Sequence, residues 1–500
     1  ELIRLTKTAY RMKYLLLFLI IIFPFAQSAT PKQLSSIKSE IPIDSIIEAE
    51  NKTISESSFV IDSIILTGNK KTKDFLIFRE LTFKVGDTLN HNQLQENYQK
   101  SRNNLIKLSL FNFVDFTDSL VAAGQYAHLL VQISFIERWY LWPFPIFEIS
   151  DRNLNVWLKE KNFNRISYGI YLIKHNNRGR GELLRLYLRS GYDERYELSY
   201  QVPYFNHKQT LGATLGAGWL QKHEVPYRTI ANKQEFIKDD DHYLFKQFYN
   251  FINFTYRPDI HQFHNFQIRY NFFYFDDTLL KLNPKYSFKG LKTNEYMTFA
   301  YKFISDHRDS KINPLTGHYF EGQISKSGFG LLKDGYIEMM DLTGSYRKYW
   351  EFPKRFYFST DWTGKLSTNR EQPYFYQRGF GYERNFVRGY ELYVIDGQSF
   401  ILGKNTLRYA LVPERKTTIG FLKSEKFSKI HYALFTNLFL DAGYVDSFRF
   451  YDPNDLSNHL IYGVGLGIDL VTYYDMIFRM ELSVNKQGEP GFYIHFKDTL

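Results

Sequence analysis

The stretch of sequence that decides the fold lies near the end of the chain, at residues 462–470, and reads YGVGLGIDL. Its even positions are large and apolar, and its odd positions are glycine or aspartate. Successive side chains of a β-strand point to opposite faces of the sheet, so this strand has one apolar face and one small or polar face. An apolar outer face and a polar inner face are typical of a strand in a transmembrane β-barrel.

The same period of two recurs from residue 151 to residue 500. Residues 184–189 alternate leucine with arginine and tyrosine, and residues 492–497 alternate apolar side chains with Tyr, His and Lys. About sixteen such segments can be placed if residues 153–158 form the first one. We therefore predict a mainly β fold, a 16-stranded antiparallel transmembrane β-barrel over residues 151–500.

The connections between the predicted strands follow a long–short rhythm. The long ones follow odd-numbered strands and lie at 221–242, 276–294, 368–399 and 446–460. Most connections after even strands are short, as expected for periplasmic turns. The connection 413–431 is the exception, because it follows an even strand and is long.

The beginning of the chain predicts export. Residues 12–29 have the layout of a signal peptide, with a short apolar run that ends in small residues. Residues 30–57 are polar and unpatterned, which indicates a flexible linker. No other stretch approaches the length of a membrane helix. A membrane-spanning protein without such helices must be a closed barrel, so we expect a bacterial outer-membrane location with the N-terminal domain in the periplasm.

Composition excludes several classes of function. The chain has no cysteine, which rules out disulfides and thiolate sites. The net charge of +10 is spread along the chain rather than gathered in a basic stripe, so we expect no nucleic-acid partner.

A small α+β module precedes the barrel at residues 58–137, followed by a predicted linker at 138–150. Apolar periodicity and turn residues predict the order β-α-α-β-β. Such a module exposes a strand edge that can pair with an extended client or with periplasmic subunits. A plain spacer between the barrel and its partners is an equally good interpretation.

The long connection 368–399 carries the sequence Phe386-Val387-Arg388-Gly389-Tyr390. Two strands later, the alternation of residues 438–442 turns Asp441 towards the lumen. A carboxylate in a barrel wall needs a cationic partner, and Arg388 on an inward-folded loop could form a bidentate pair with it. Gly389 would allow the tight backbone turn beside the wall. Arg408 also faces the lumen and is the competing partner for Asp441.

With these motifs the chain resembles the BamA/TamA superfamily of outer-membrane assembly and translocation barrels. The Val-Arg-Gly-Tyr loop and the strand sequence Asp441-Ala442-Gly443 resemble that superfamily's barrel signatures. The small module resembles its POTRA domains, and further similarities lie in the segments 66–72, 79–81, 110–111, 200–205 and 308–317.

The resemblance implies a function. The protein would insert unfolded outer-membrane protein clients into lipid at a seam between the first and last strands, without nucleotide or cofactor. The seam would include Asn155, Trp157, Phe492, Ile494 and Phe496. The loop–lumen contact would include Val387, Arg388, Gly389, Tyr390, Asp441 and Gly443.

Two other functions remain open at this point. One is a secretion pore that exports a dedicated partner through the lumen, and the other is a passive barrel plugged by the loop. An enzyme is not expected, since no nucleophile elbow or phosphate-binding loop is present. His261 and His264 lie in a predicted turn without a third ligand at useful spacing, so no metal site is predicted there.

Overall fold

The computed structural model describes residues 58–497 except 124–126, 150–165, 333–336, 370, 383–384, 419, 421–423, 425–427, 449–454 and 473–475. The predicted signal peptide and the linker 30–57 lie outside the described residues. Within the described part, no helix is both long and apolar enough to cross a membrane.

The N-terminal module is a four-stranded sheet covered by two helices. Its elements are β1 (Ser58–Thr67), α1 (Asp74–Glu80), β2 (Thr88–Asn90), α2 (His91–Lys107), β3 (Phe111–Ala123) and β4 (Ala127–Glu137). The strands lie in the order β2-β1-β4-β3, with β1 parallel to β4. The predicted order lacks only β2, whose three residues are too few to show a period.

Helix α2 begins where its sequence provides a reciprocal cap. The Asn90 side chain accepts from the Gln93 backbone N–H at 2.8 Å, and the Gln93 side chain accepts from the Asn90 N–H at 3.0 Å. This capping box satisfies donors that a helix start otherwise leaves unpaired. Leu94, Tyr98 and Leu105 on one face of the helix are buried against the sheet. The module therefore has a hydrophobic core of its own.

Residues 141–497 form a second, sixteen-stranded sheet. Each of its strands pairs antiparallel with its neighbour in chain order, which confirms the predicted fold class. A separate hairpin follows the fifth of these strands, consisting of β10 (Glu224–Ile230) and β11 (Lys233–Lys238), and helix α3 (Asp277–Leu282) follows the seventh. The sixteen strands are β5 (Leu141–Ile149), β6 (Ile166–Asn177), β7 (Glu182–Gly191), β8 (Glu194–Val202), β9 (Leu211–Lys222), β12 (Phe245–Tyr256), β13 (Gln262–Phe275), β14 (Thr293–Asp306), β15 (Gly317–Ser327), β16 (Met339–Phe352), β17 (Phe356–Ser367), β18 (Ser399–Thr418), β19 (Lys429–Asp446), β20 (Ile461–Thr472), β21 (Met476–Asn485) and β22 (Pro490–Lys497).

The connections after odd strands meet at one end of this sheet, which shows that the sheet curves round into a barrel. Asn232, after the fifth strand, donates to Asp455, before the fourteenth, at 2.6 Å. The backbone N–H of Val394 donates to the Asn232 carbonyl at 2.8 Å. An aromatic cluster fixes further connections to the strands, and it includes Phe273, Phe275, Tyr286, Phe288 and Phe375. This end of the barrel is covered.

The position predicted for the first strand of the barrel is wrong. Residues 153–158 lie outside the described residues, and the sheet begins instead with β5, inside the predicted linker 138–150. Pro143 and Pro145 make this strand hard to recognise in a sequence, because proline argues against a strand that is paired on both sides. In β5 both prolines lie opposite residues of β6 without interrupting the register of the pair.

The long connection 413–431 also has a different structure from the one expected. Strands β18 and β19 continue into it, and residues 415–418 pair with residues 429–432. These positions are mostly polar, so they lack the apolar alternation by which strands are recognised. Lys416, on the extension, lies 4.0 Å from Asp115 of the N-terminal module and 5.2 Å from the ring centre of Phe113.

Candidate functional site

The segment around Arg388 lies against a groove of glycines on the inner face of strands β19 and β20. A Cβ atom on Gly463 would lie 1.9 Å from the Arg388 carbonyl oxygen, and one on Gly443 would lie 2.5 Å from the Phe380 ring. Only glycine leaves room for such a close approach. Gly389 adopts a φ of +97°, which reverses the chain beside the wall. The alternating glycines therefore form the inner surface that receives the loop.

Arg388 binds Asp441 through two nitrogens of its guanidinium group. Nε lies 2.7 Å from Oδ2 and Nη2 lies 2.7 Å from Oδ1, while the Arg388 backbone N–H donates to Oδ2 at 3.3 Å. Asp441 is completely buried and Arg388 is 4% exposed. The structure thus brings together the two residues that the sequence paired. A buried bidentate contact of this kind fixes both the position and the orientation of the loop.

The remaining donors of Arg388 are used by residues that the sequence did not identify. Nη1 donates to Glu481 at 3.1 Å, and Nη2 also donates to the Thr406 hydroxyl at 2.9 Å. The guanidinium carbon lies 3.8 Å above the ring centre of Phe439. Three strands and the loop therefore converge on one side chain. Thr406 and Glu481 are far from Arg388 in sequence, and only their lumen-facing parity marked them.

Arg408 does not compete for Asp441, contrary to the sequence-based expectation. Its Nη2 lies 3.1 Å from Asp469, and its Nη1 donates to Asn313 at 2.9 Å. Asp469 also accepts two hydrogen bonds from Arg479, at 2.7 and 2.8 Å. Asp469 thus has two arginines, Arg408 and Arg479, which leaves Arg388 to Asp441 and Glu481.

The other predicted loop residues lie in the same interface. Val387 and Tyr390 are buried in a cluster with Phe380, Ile395 and Phe400. The Tyr390 hydroxyl donates to Gln487, beyond β21, at 2.5 Å. Gly389 accepts a hydrogen bond on its carbonyl from Asn485 at 3.3 Å. The loop is held by apolar packing as well as by charge.

The predicted seam residues have mixed outcomes. Asn155 and Trp157 lie outside the described residues, and the first strand of the described sheet is β5. Phe492 and Ile494 lie on β22 opposite Leu482 and Met480, and their side chains are exposed on the outer face. Phe496 lies on the same strand opposite Phe478.

Strand β5 has an outer edge that is deficient in hydrogen-bond donors. Pro143 and Pro145 are two residues apart, so their backbone nitrogens point to the same side of the strand. Pairing with β6 is continuous past both prolines, so that side is the outer edge. Proline has no N–H. The outer edge of β5 therefore lacks two of the donors that a neighbouring strand would use.

The N-terminal module contacts the barrel through a buried ion pair that sequence reasoning missed. Arg257, just after β12, donates to Glu80 of helix α1 at 2.8 and 3.1 Å. The two side chains are only 6% and 2% exposed. Burial works against the charge of the arginine, but Glu80 and Tyr204 outweigh it, so the pKa of Arg257 is raised. Arg257 therefore stays charged in this buried position.

Further contacts surround this ion pair. Arg257 also hydrogen bonds to the Tyr204 hydroxyl, and Arg79 lies 4.2 Å from the Tyr204 ring centre. Thr72 accepts from Asn176 at the end of β6 at 2.8 Å. The segments 66–72, 79–81 and 200–205, which carried the family resemblance separately, therefore meet at one junction.

Comparisons with known proteins found one matching family model and several similar solved structures. A family model described as POTRA, surface antigen variable number repeat, matches residues 59–126. Among solved structures, BamA from Haemophilus ducreyi lacking POTRA domains 1–3 is 13% identical with a TM-score of 0.46, covering 93% of this chain and 94% of that one. CdiB from Escherichia coli is 11% identical with a TM-score of 0.45, covering 93% and 92%. No curated protein matches the chain significantly in sequence.

The POTRA match and the sixteen-stranded sheet define a class of protein, a β-barrel with an N-terminal POTRA domain. By this match residues 59–126 belong to the POTRA family, and the sheet that follows has the fold class of a sixteen-stranded antiparallel barrel.

Proposed function

We propose that this protein inserts unfolded outer-membrane proteins into the bacterial outer membrane, at a seam between β5 and β22. The POTRA domain would lie in the periplasm, and its partners would be client strands and outer-membrane lipids. A client strand gains hydrogen bonds and buries apolar surface as it enters the membrane, so the proposal requires no nucleotide, cofactor or covalent chemistry.

The proline pair in β5 is the observation that carries this proposal. A strand edge that lacks two donors pairs weakly with the strand beside it, because each ordinary hydrogen bond contributes about 0.5–1.5 kcal/mol. A client strand can approach the C-terminal strand β22 in place of β5. Opening at this seam therefore costs less than opening between any two fully paired strands.

The loop contact supports the same proposal from inside the lumen. Arg388 joins the loop to β18, β19 and β21. The last strand, β22, lies next to β21. The contact would hold the wall beside the seam while the seam itself opens.

The POTRA domain offers a surface for delivering clients or periplasmic subunits. Strand β3 is an edge strand of its sheet, and its Leu120 and Val121 are exposed. An extended segment can add to such an edge through main-chain hydrogen bonds. We place client or subunit capture at β3.

The decisive experiment restores the missing donors. The double variant Pro143→Val/Pro145→Val gives β5 two N–H groups, worth about 1–3 kcal/mol together, and should lower the open population of the seam roughly 5- to 150-fold. The variant replaces the chromosomal copy, and the outer-membrane proteome and the secreted fraction are quantified. Pro226→Val in the β10–β11 hairpin is the matched control.

The proposal expects several unrelated barrel proteins to decrease in the double variant while the control stays normal. Heat-modifiable migration on gels verifies that the variant barrel is folded. Loss of a single secreted protein with normal barrel proteins would replace the proposal by the export pore. A folded double variant with an unchanged proteome and secreted fraction would reject the seam.

A further inference from the structure

A cluster of three ligand-type side chains lies beside the Arg388 network without an assigned role. Glu391 comes from the inward loop, Glu481 from β21 and His495 from the last strand, β22. Their nearest ligand atoms all lie within 4.8 Å of one another. From this cluster we infer a binding site for one divalent transition-metal ion, with zinc as the best match.

The spacing of the atoms fits an ion. His495 Nε2 lies 3.4 Å from Glu481 Oε2 and 3.6 Å from Glu391 Oε1. Ligands about 2.0–2.2 Å from a tetrahedral zinc ion are separated by roughly 3.3–3.6 Å. Both distances from His495 therefore already match the edge lengths of a coordination tetrahedron, and the two carboxylate oxygens lie within 4.8 Å of each other. Mixed imidazole and carboxylate ligands suit zinc better than magnesium or calcium.

The three facing atoms have no other hydrogen-bond partner among the described residues. They are Glu391 Oε1, Glu481 Oε2 and His495 Nε2. Glu481 is 1% exposed. A carboxylate oxygen buried without a partner is costly, and native structures rarely leave one so. The unbonded Oε2 of Glu481 therefore indicates that a ligand binds to it.

The other oxygen of each carboxylate is held by the loop motif. Arg388 Nη1 donates to Glu481 Oε1 at 3.1 Å, and the Gly389 backbone N–H donates to Glu391 Oε2 at 2.8 Å. These bonds orient both carboxylates with their free oxygens towards His495. Such supporting contacts orient the ligands of metal sites in proteins and tune their affinity.

The charges nearby leave room for a cation. Arg388 is neutralised by Asp441, and Arg479 by Asp469, each through two hydrogen bonds. Glu481 shares Arg388 with Asp441, so the negative charge that remains for the ion is that of Glu391, whose ion-pair partner among the described residues is His495. Because the ligands come from the loop, β21 and β22, a bound ion would cross-link the loop to the last strand of the barrel.

The test is zinc binding by the full chain, purified in detergent and stripped with a chelator. Zinc is titrated in competition with a chromophoric zinc indicator, and the bound metal is counted after desalting. The variants are His495→Gln and Glu391→Gln, the second of which retains an oxygen for the Gly389 contact. His264→Gln is the matched control, since His264 lies in another strand and bonds to Tyr301 at 2.8 Å.

We expect one zinc ion per wild-type chain, an increase in melting temperature on zinc addition, and at least about tenfold weaker binding by both site variants. The control should bind as the wild type does. Wild-type binding no tighter than that of His495→Gln would overturn the inference. So would an unchanged melting temperature, which indicates instead that His495 contacts both carboxylates without a metal ion.

Discussion

Removing the charge of Arg388 should lower the free energy of unfolding of the barrel, because it leaves a buried carboxylate without its cation. In Arg388→Met, Asp441 loses both hydrogen bonds from the guanidinium group and becomes a completely buried carboxylate without its cation. Breaking a buried ion pair by removing one partner costs about 3–5 kcal/mol. We expect the free energy of unfolding to fall by that amount.

The companion variant Asp441→Asn separates the pair from the rest of the network. It leaves Arg388 with Glu481 and Thr406 but removes its main counter-charge. Because each single change already breaks the same interaction, the double variant should be destabilised by little more than either one. The expected coupling energy is about 3 kcal/mol, close to the cost of one single variant.

Both numbers follow from urea unfolding in lipid vesicles, monitored by tryptophan fluorescence. Arg228→Met is the control, because the Arg228–Glu235 pair on the β10–β11 hairpin has a comparable contact of 2.6 Å but is exposed. Its unfolding midpoint should not change. If the effects of Arg388→Met and Asp441→Asn simply add, the two residues do not act as one buried pair and the reasoning is refuted.

Two further variants test the surroundings of the site. Arg257→Met leaves Glu80 buried without its partner, at a cost of about 3–5 kcal/mol, so hydrogen exchange in helix α1 should accelerate. Exchange as slow as in the wild type would contradict the junction. Lys100→Met, which breaks an exposed pair with Glu96, serves as control. Gly463→Ala places a Cβ 1.9 Å from the Arg388 carbonyl oxygen and should displace the loop, which protease cleavage within residues 368–399 would detect. Gly420→Ala, where a Cβ meets nothing within 4 Å, should leave the cleavage pattern unchanged, and equal cleavage in the two variants would argue against the close approach.

Local periodicity accounts for the part of the structure that the sequence predicted. The alternation in β19 turns Asp441 inward, and Leu438 and Leu440 are correspondingly exposed on the outer face. Burial on one face is a local property of a strand, so two or three residues suffice to reveal it. The inward direction of Asp441 in turn predicted its need for an arginine.

Contacts between distant segments account for what the sequence did not predict. Glu80 and Arg257 are 177 residues apart, and neither position has a periodicity that indicates the other. The partner of Arg408 was predicted wrongly for the same reason. Strand alternation turns several carboxylates towards the lumen and does not tell which of them Arg408 contacts. Strand β5 contains two prolines. Proline is tolerated in an edge strand but not in a strand that is paired on both sides, so the sequence of β5 does not resemble that of an interior barrel strand.

The Glu80–Arg257 junction also has a consequence for how the POTRA domain moves. A small displacement would separate the two charges while both stay dehydrated, which is costly. Complete separation would return both charges to water and recover much of that cost. Motion of the arm should thus resemble a toggle with a docked and a released position and few molecules between them. A client that binds the released arm more tightly would change its state in a single step rather than by gradual bending.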